Sequence, residues 1–315
     1  MSKSLASVSL DLDNKWSYLK THGDPGWEEF PSYLDLLVPR ILNVFAERGL
    51  NITVFVVGQD AALPKNNAAL AAISAAGHEI GNHSFHHEPW LHRYTRAEIE
   101  TEVARAEEAI ESVTGQRPVG FRGPGFSCSP EVLDVLVQRG YLYDASTFPT
   151  FLGPLARAYF FMTARMTVEE KRDRELLFGK MSEGFQSLRP YVRTTPSGRL
   201  LEIQVTTMPV FKIPIHLSYL LYLRQFSSVL AFSYLRVAVG LCRACGVEPS
   251  MLLHPLDFLG ADDDPDLGFF PAMGFPSAKK IRFAGQVLDY LGANYRLVNM
   301  IDHATSVCPE LTCVA

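Results

Sequence analysis

Short apolar runs alternate with longer amphipathic runs along most of this chain, and this alternation limits the folds that it can adopt. Residues 5–10 and 52–57 have the length and the apolar content of buried strands. Residues 33–48 lie between them, show helical spacing and stop at a glycine. Because strands that alternate with helices are typical of parallel sheets covered by helices, the sequence predicts an α/β fold.

The length favours one large domain. At 315 residues the chain exceeds a typical domain of about 150 residues, whereas a β/α barrel commonly fills about 250 residues by itself. A barrel with an insertion therefore accounts for the length better than two separate domains do. With 47% hydrophobic residues, the chain can bury a large core.

The charge pattern argues against two classes of partner. The net charge is −5 and no basic tail or patch is present, so we expect no nucleic-acid partner. The stretch 213–239 is markedly apolar, but Arg224 and Arg236 interrupt it before any charge-free run reaches the ~18 residues that span a bilayer. We therefore predict packed helices here, with peripheral contact to a membrane as the alternative.

The cysteines and the first residues predict a cellular location. Five cysteines are an odd number, and residues 1–4 lead directly into the first predicted strand without room for a signal peptide. We therefore expect reduced thiols and a cytoplasmic protein, with attachment at the inner face of a membrane as an alternative. Cys242 and Cys245 form a Cys-x-x-Cys pair, but no second such pair completes a zinc ribbon.

Two carboxylates and two imidazoles have the spacing of a metal site. Asp11 and Asp13 are two residues apart at the end of an apolar run, so a strand would point both to one face. His83 and His87 are four residues apart, a spacing that a helical turn or a tight loop brings together. One carboxylate with two imidazoles leaves a coordination position open for water. The second carboxylate is then free to transfer protons.

Each pattern also has a structural interpretation. A lone Asp-x-Asp is usually a strand that meets a loop, and a lone histidine pair is usually surface or core histidine. Two further motifs strengthen the catalytic interpretation, namely Phe-Arg-Gly-Pro-Gly-Phe at residues 121–126 and Met-Leu-Leu-His-Pro at residues 251–255. All four motifs end predicted strands, and in a β/α barrel that rim is where catalytic side chains converge.

These motifs together resemble those of the polysaccharide deacetylases of the NodB homology group, carbohydrate esterase family four. That family's first motif is an apolar strand ending in two aspartates, here residues 9–13. Its His-Ser/Thr-x-x-His motif corresponds to residues 83–87, its Arg-x-Pro motif to residues 122–124 and its late Leu-x-His-Pro motif to residues 252–255. The resemblance runs from about residue 5 to about residue 300.

The resemblance implies a metal site and a fold. Asp13, His83 and His87 would hold one divalent ion, with Zn²⁺ preferred and Co²⁺, Ni²⁺ or Mn²⁺ as alternatives. The fold would be a distorted (β/α)7 TIM-like barrel over residues 1–305. We assign residues 151–199 to an inserted helical cap, with contact to a lipid headgroup or a lipid-linked sugar as an alternative role. Residues 306–315 would form a C-terminal tail.

The resemblance also implies the remaining catalytic roles. Asp11 would be the general base on the metal-activated water, and Arg122 would pair with Asp11. Gly125 or its neighbour would offer a backbone N–H to the oxyanion. His254 would protonate the leaving amine, a task suited to histidine near neutral pH.

The carboxylate that would orient His254 has no clear copy of the family's motif. Asp257, Asp144 and Glu202 are the candidates, and Asp257 is preferred because it follows His254 by three residues. Gly123 and Gly125 replace larger side chains seen in many relatives. This change would either widen the mouth of the site or loosen the loop.

The function predicted from these residues is N-deacetylation of an N-acetylated amino sugar in a glycan or in a nucleotide-linked or lipid-linked sugar. The alternatives on the same fold are a deformylase, a ring-amide hydrolase such as an allantoinase, and a non-catalytic carbohydrate-binding protein. A phosphatase with an aspartate nucleophile is disfavoured. Such enzymes usually have Thr or Val two positions after the second Asp, where this chain has Lys15.

Overall fold

The fold is taken from a computed structural model, which describes residues 3–152 and 181–309, with the backbone alone at residues 181 and 182. The described part contains a nine-stranded sheet. Its strands are β1 (Leu5–Asp11), β2 (Thr53–Val56), β3 (Glu79–Asn82), β4 (Gly120–Phe121), β5 (Tyr143–Asp144), β6 (Tyr191–Thr195), β7 (Gly198–Glu202), β8 (Ser250–Leu253) and β9 (Arg296–Val298).

Helices connect most of these strands, as the alternating pattern predicts. In the described residues they are α1 (Lys15–His22), α2 (Leu34–Ala46), α3 (Gly58–Ala61), α4 (Asn67–Ala75), α5 (Arg96–Thr114), α6 (Pro130–Gln138), α7 (Leu217–Phe226), α8 (Ser228–Ala244), α9 (Ser277–Asn294) and α10 (Met300–Val307). Helix α5 begins with a capping box formed by Thr95 and Glu98, and it ends at Gly115 in the left-handed conformation. Among the described residues, no helix is both long enough and apolar enough to cross a membrane.

The strands form one mainly parallel sheet in the order β6-β7-β5-β4-β3-β2-β1-β8, with β9 paired to the first half of β1. Among the strands that the structure describes, only β6 and β7 pair antiparallel. In the described residues the two ends of the sheet are not joined by paired strands. A hydrogen bond from the Thr206 N–H to the Ser250 carbonyl, 3.0 Å long, links the chain after β7 to β8. The predicted α/β class and the TIM-like arrangement are confirmed, and pairing among the described strands does not close the barrel.

The buried strands hold the core. All seven residues of β1 are buried, and Val8 and Leu10 pack in the largest apolar cluster with Leu34 and Phe45 of α2. A strand buried on both faces fits a parallel sheet whose connecting helices cover it. Glycine is required at Gly120, because a Cβ there would lie 2.0 Å from the Tyr143 ring of the next strand.

The strand register aligns the motifs in one layer. Leu10 pairs with Leu253, so the next residues, Asp11 and His254, lie side by side at the carboxyl ends of β1 and β8. Asn82 pairs with Phe121, so the residues that follow them lie side by side at the ends of β3 and β4. Parallel pairing through β2 connects these two pairs of strands. The motifs therefore meet at one rim of the sheet.

The predicted cap and tail differ in detail from the structure. The hairpin of β6 and β7 begins inside the segment 151–199 that the sequence assigns to a helical cap. Residues 153–180, which carry most of the predicted helical part, lie outside the described residues. Helix α10 extends to Val307, two residues into the predicted tail, and its Met300 and His303 are fully buried.

Candidate active site

Asp13, His83 and His87 form a cluster suited to a metal ion. Their potential ligand atoms all lie within 4.8 Å of one another. Oδ1 of Asp13 is 2.9 Å from Nε2 of His87 and 3.4 Å from Nε2 of His83. The Nδ1 of His83 is 2.6 Å from the Arg122 carbonyl, to which it donates as the N–H tautomer. That hydrogen bond leaves Nε2 of His83 as the free ligand atom, the usual arrangement of a metal-binding histidine.

Asp13 and His83 shift each other's pKa values toward the charged forms. Burial raises the pKa of Asp13, but His87 and His83 outweigh burial and hold this pKa well below its ordinary value. Burial lowers the pKa of His83, but Asp11 and Asp13 outweigh it and the net shift is upward. The site therefore keeps its carboxylate ionised while it is buried.

Glu102 of α5 holds the loop that carries the two histidines. Its Oε2 accepts hydrogen bonds from the N–H groups of Phe85 and His86, at 3.1 and 3.0 Å, and its Oε1 contacts Nδ1 of His86. Ser84 and His87 have positive φ angles of 60° and 55°, so the loop is not a regular helix. Buried hydrogen bonds to a carboxylate offset the cost of such a backbone.

Replacing Glu102 by alanine should therefore destabilise the protein. Two backbone N–H groups would lose their acceptor, and we expect the free energy of unfolding to fall by about 2–4 kcal/mol. Urea denaturation followed by circular dichroism measures this change. Glu100→Ala, at an exposed position of the same helix, is the control and should change stability by less than about 0.5 kcal/mol. Equal effects of the two substitutions would contradict the assigned role of Glu102.

A second polar cluster lies behind Asp13. One oxygen of buried Asp60 accepts hydrogen bonds from the side chains of Asn14, Trp16 and Asn66, at 2.7, 3.1 and 3.0 Å. Burial raises the pKa of Asp60 to about 7, although the hydrogen bonds from Asn14 and Trp16 oppose the shift. The ring of Trp16 packs edge-on against His87 at 6.3 Å. Asp60 therefore fixes a ring that packs against one of the potential ligands.

Arg122 is fully buried and joins the first and third motifs. Its Nη1 donates to Oδ1 of Asp11 at 2.6 Å and to the Ser9 hydroxyl at 2.9 Å, while its Nε donates to the Ala145 carbonyl at 3.0 Å. The guanidinium also lies 4.4 Å from the centre of the Phe55 ring. Asp11 is thus held by an arginine, and its charge also acts on His83 of the neighbouring cluster.

The glycines of the third motif form a tight turn. A Cβ on Gly123 would lie 2.0 Å from the Ser127 carbonyl oxygen, so this position excludes any side chain. Gly125 is exposed and has a φ of +58°, which favours glycine. The N–H of the neighbouring Phe126 donates to the Gly123 carbonyl at 2.9 Å. Of the two amides predicted to face an oxyanion, the one of Phe126 is therefore already used within the turn.

His254 is held by a serine. Its Nδ1 lies 3.1 Å from the hydroxyl of Ser218 on α7, and its backbone N–H donates to Asp257 at 2.8 Å. Burial raises the pKa of Asp257, although His254 and hydrogen bonds, including one from Ser218, oppose the shift. Lys280 lies behind this turn, donates to the Leu256 carbonyl at 2.8 Å and has its pKa lowered by burial to about 8.

The other two candidate carboxylates are buried beside each other, and one of them, Asp144, supports the third motif. Asp144 and Glu202 are paired neighbours on β5 and β7, and burial raises the pKa of both. Asp144 accepts a hydrogen bond from the Ser146 hydroxyl at 2.6 Å, and that hydroxyl accepts the N–H of Gly123 at 2.8 Å. Arg193 donates to Glu202 at 2.7 Å. Among the three candidates, Asp257 is the one on the turn of His254, and it binds the backbone of this turn.

Some of these residues carry a signal in the sequence that motif analysis missed. Glu102 follows Ile99 by three residues and precedes Ala106 by four, so this carboxylate lies on the buried face of an amphipathic helix. Such a position requires a partner, and the histidine loop supplies it. Ser218 has no comparable signal, because its contact to His254 spans 36 residues.

Sequence comparisons agree with the motifs. Residues 24–143 match the model of the polysaccharide deacetylase family. A peptidoglycan deacetylase of Helicobacter pylori is 27% identical over 149 residues, which are 45% of this chain and 49% of that protein. The chain covers about half or less of the length of the curated relatives that it matches.

Solved structures share the fold. A protein of Mycobacterium smegmatis assigned to the polysaccharide deacetylases has a TM-score of 0.65 and 20% identity, over 98% of this chain and 92% of that one. An allantoinase has a TM-score of 0.60 and 17% identity, over 98% and 91%. At these identities the likeness concerns the fold alone. The family match over residues 24–143 and the motifs at the rim of this fold agree, so this part of the chain is similar in sequence to the polysaccharide deacetylases.

Proposed function

We propose that this chain is a metal-dependent amidohydrolase that removes the acetyl group of an N-acetylated amino sugar. The observation that carries the proposal is the cluster of Asp13, His83 and His87 beside a separate pair of Asp11 and Arg122. A deacetylase needs both, because the ligands must hold an ion while a second carboxylate accepts a proton.

The three clustered side chains fit a divalent ion. They offer one carboxylate oxygen and two imidazole nitrogens, a set that binds Zn²⁺ and also accepts Co²⁺, Ni²⁺ or Mn²⁺. A bound divalent ion supplies Lewis acidity and makes a water molecule acidic enough to react near neutral pH. Asp13, His83 and His87 are the proposed ligands, with Zn²⁺ preferred.

The remaining side chains have separate roles in the proposed mechanism. Asp11 accepts a proton from the attacking water, and Arg122 keeps this carboxylate ionised and oriented. The backbone N–H of Gly125 donates to the oxyanion that forms on the acetyl group. His254, held by Ser218 through Nδ1, uses Nε2 to protonate the departing amine. The two proton-transfer groups lie side by side, as the register of β1 and β8 requires.

The relatives support a glycan substrate. The Helicobacter pylori relative is a peptidoglycan deacetylase, and peptidoglycan carries N-acetylated amino sugars. We therefore infer that the substrate is an N-acetylated amino sugar within a polymer or on a carrier. A lipid carrier, peripheral membrane contact and a cytoplasmic location stay predictions from the sequence.

The test is product analysis by mass spectrometry. The protein, loaded with Zn²⁺, is incubated with N-acetylglucosamine oligomers, peptidoglycan fragments, nucleotide sugars, formylated amino sugars and allantoin. Acetate release from an amino sugar supports the proposal. Formate release or ring opening instead would identify the deformylase or the ring-amide hydrolase, and binding without any product would indicate a non-catalytic protein.

Ser218→Ala tests the assigned acid. The imidazole of His254 would lose the hydroxyl that orients it, and we expect kcat to fall about 10-fold with unchanged metal content. His254→Ala should lower kcat further, by roughly 10²-fold, again with the metal retained. Ser233→Ala, at an exposed position of α8, is the control. A full kcat in Ser218→Ala would contradict this arrangement.

A further inference from the structure

Six aromatic side chains form an unbroken row that starts at the rim of the site and follows α7. Successive ring centres lie 4.8, 5.8, 6.3, 6.2 and 5.5 Å apart. The members of this aromatic row are, in order, Phe126, Phe148, His216, Tyr219, Tyr222 and Phe226. It begins beside Gly125, and the His216 ring lies 6.0 Å from the His254 ring. The row is therefore continuous with the candidate active site.

The spacing of the row along α7 places it on the outer face of this helix. His216, Tyr219, Tyr222 and Phe226 recur at intervals of three or four residues, the spacing of one helical face. Leucines at positions 217, 220 and 221 fill the opposite face and are buried in the core. Tyr222 is 39% exposed and Phe226 is 69% exposed.

Packing inside the protein explains only part of the row. Tyr219 contacts Tyr234 of α8, with ring centres 5.7 Å apart. Tyr222 and Phe226 contact each other and remain open to water, which is costly for large apolar rings. Phe226 thus prolongs the row away from the core. Exposed aromatic rings next to a site are typical of a surface that binds a ligand.

The chemistry of the row favours an uncharged polar ligand. Helix α7 has one charged residue, Arg224, which donates to the Lys279 carbonyl and lies over the Phe283 ring. The row itself therefore carries flat apolar faces together with hydroxyl and imidazole groups. Aromatic rings with polar tips suit a ligand that has both apolar faces and hydroxyl groups, which is the character of a sugar ring.

We propose that the aromatic row binds successive sugar units of an extended, uncharged glycan whose reacting unit lies at the Asp13, His83 and His87 cluster. The proposal rests on the proposed function and adds the surface that binds the sugar units next to the reacting one. The part of the row on α7 spans about 15 Å, enough for more than one sugar ring. It lies outside residues 24–143, which match the family.

Phe226→Ala and Val229→Ala form a matched pair for the test. Phe226, at the end of α7, is 69% exposed and belongs to the row. Val229, at the start of α8, is 73% exposed and does not belong to the row. Acetate release is measured with N-acetylglucosamine oligomers of increasing length. We expect Phe226→Ala to lower kcat/KM at least about 5-fold for long oligomers and to leave short ones unchanged. Val229→Ala should leave both unchanged.

Two outcomes would overturn the proposal. Phe226→Ala could leave kcat/KM for long oligomers unaltered, or Val229→Ala could lower it equally, which would indicate a general apolar surface for a lipid or a second copy of the chain. Calorimetric titration with the long oligomer separates this inference from the proposed function. Binding that Phe226→Ala weakens, without any acetate release, would support the row and reject the deacetylase. Acetate release together with binding that Phe226→Ala does not change would support the deacetylase and reject the role of the aromatic row.

Discussion

Replacement of His83 or His87 by alanine is expected to release the divalent ion and to abolish amide hydrolysis. Each substitution leaves two of the three clustered ligands, and those cannot complete the coordination of a catalytic ion. Losing a supporting group near a metal typically lowers affinity about 10- to 100-fold, so loss of a ligand itself should exceed that range. Metal content after gel filtration, measured by inductively coupled plasma mass spectrometry, checks this result.

His86→Ala is the matched control, because it removes an imidazole from the same loop. The His86 side chain is 42% exposed and contacts Glu102 rather than Asp13. This variant should therefore retain the metal. If His83→Ala and His87→Ala both kept a full complement of metal, neither histidine would be a ligand.

Asp11→Asn is expected to keep the metal and to lose roughly 10²-fold or more in kcat. The amide keeps the shape of the side chain but cannot accept a proton from water, and a general base is typically worth this factor. Asp13→Asn should instead weaken metal binding, because Oδ1 of Asp13 lies next to both imidazoles. Steady-state kinetics and metal analysis of the two purified variants separate these roles.

The two substituted residues are two positions apart in the same short motif, so general damage to the end of β1 would affect both variants alike. Equal loss of metal in Asp11→Asn and Asp13→Asn would overturn the division between base and ligand. Thermal unfolding of each variant shows whether the buried contact of Asp11 with Arg122 also supports the fold.

The sequence predicts the class of fold and the location of the rim because both follow from local patterns. The apolar run before Asp11 and the helical spacing of α2 are properties of neighbouring residues, and parallel pairing then aligns the strand ends. The cluster of Asp13, His83 and His87 follows from the same alignment. The sheet edge near β6 is less predictable, since the antiparallel hairpin of β6 and β7 begins inside a segment whose sequence predicts helices.

Contacts between distant segments could not be predicted in this way. Nothing near Ser218 in the sequence indicates that α7 brings its hydroxyl to His254. The candidates Asp144 and Glu202 are acidic residues at strand ends, as a catalytic carboxylate would be, yet they lie next to Ser146 and Arg193. Motifs thus identify which residues meet at the rim. They do not identify the hydrogen-bond partners that distant segments bring to these residues.

Helix α10 determines where this chain can be shortened. The sulphur of Met300 lies 3.6 Å from Nη2 of Arg122, and His303 is hydrogen-bonded to Ser7 of β1. A protein ending before Met300 would keep all four motifs but admit water to the guanidinium beside Asp11. Removal of α10 would therefore disturb the contact between Arg122 and Asp11, although none of the proposed catalytic residues would be removed.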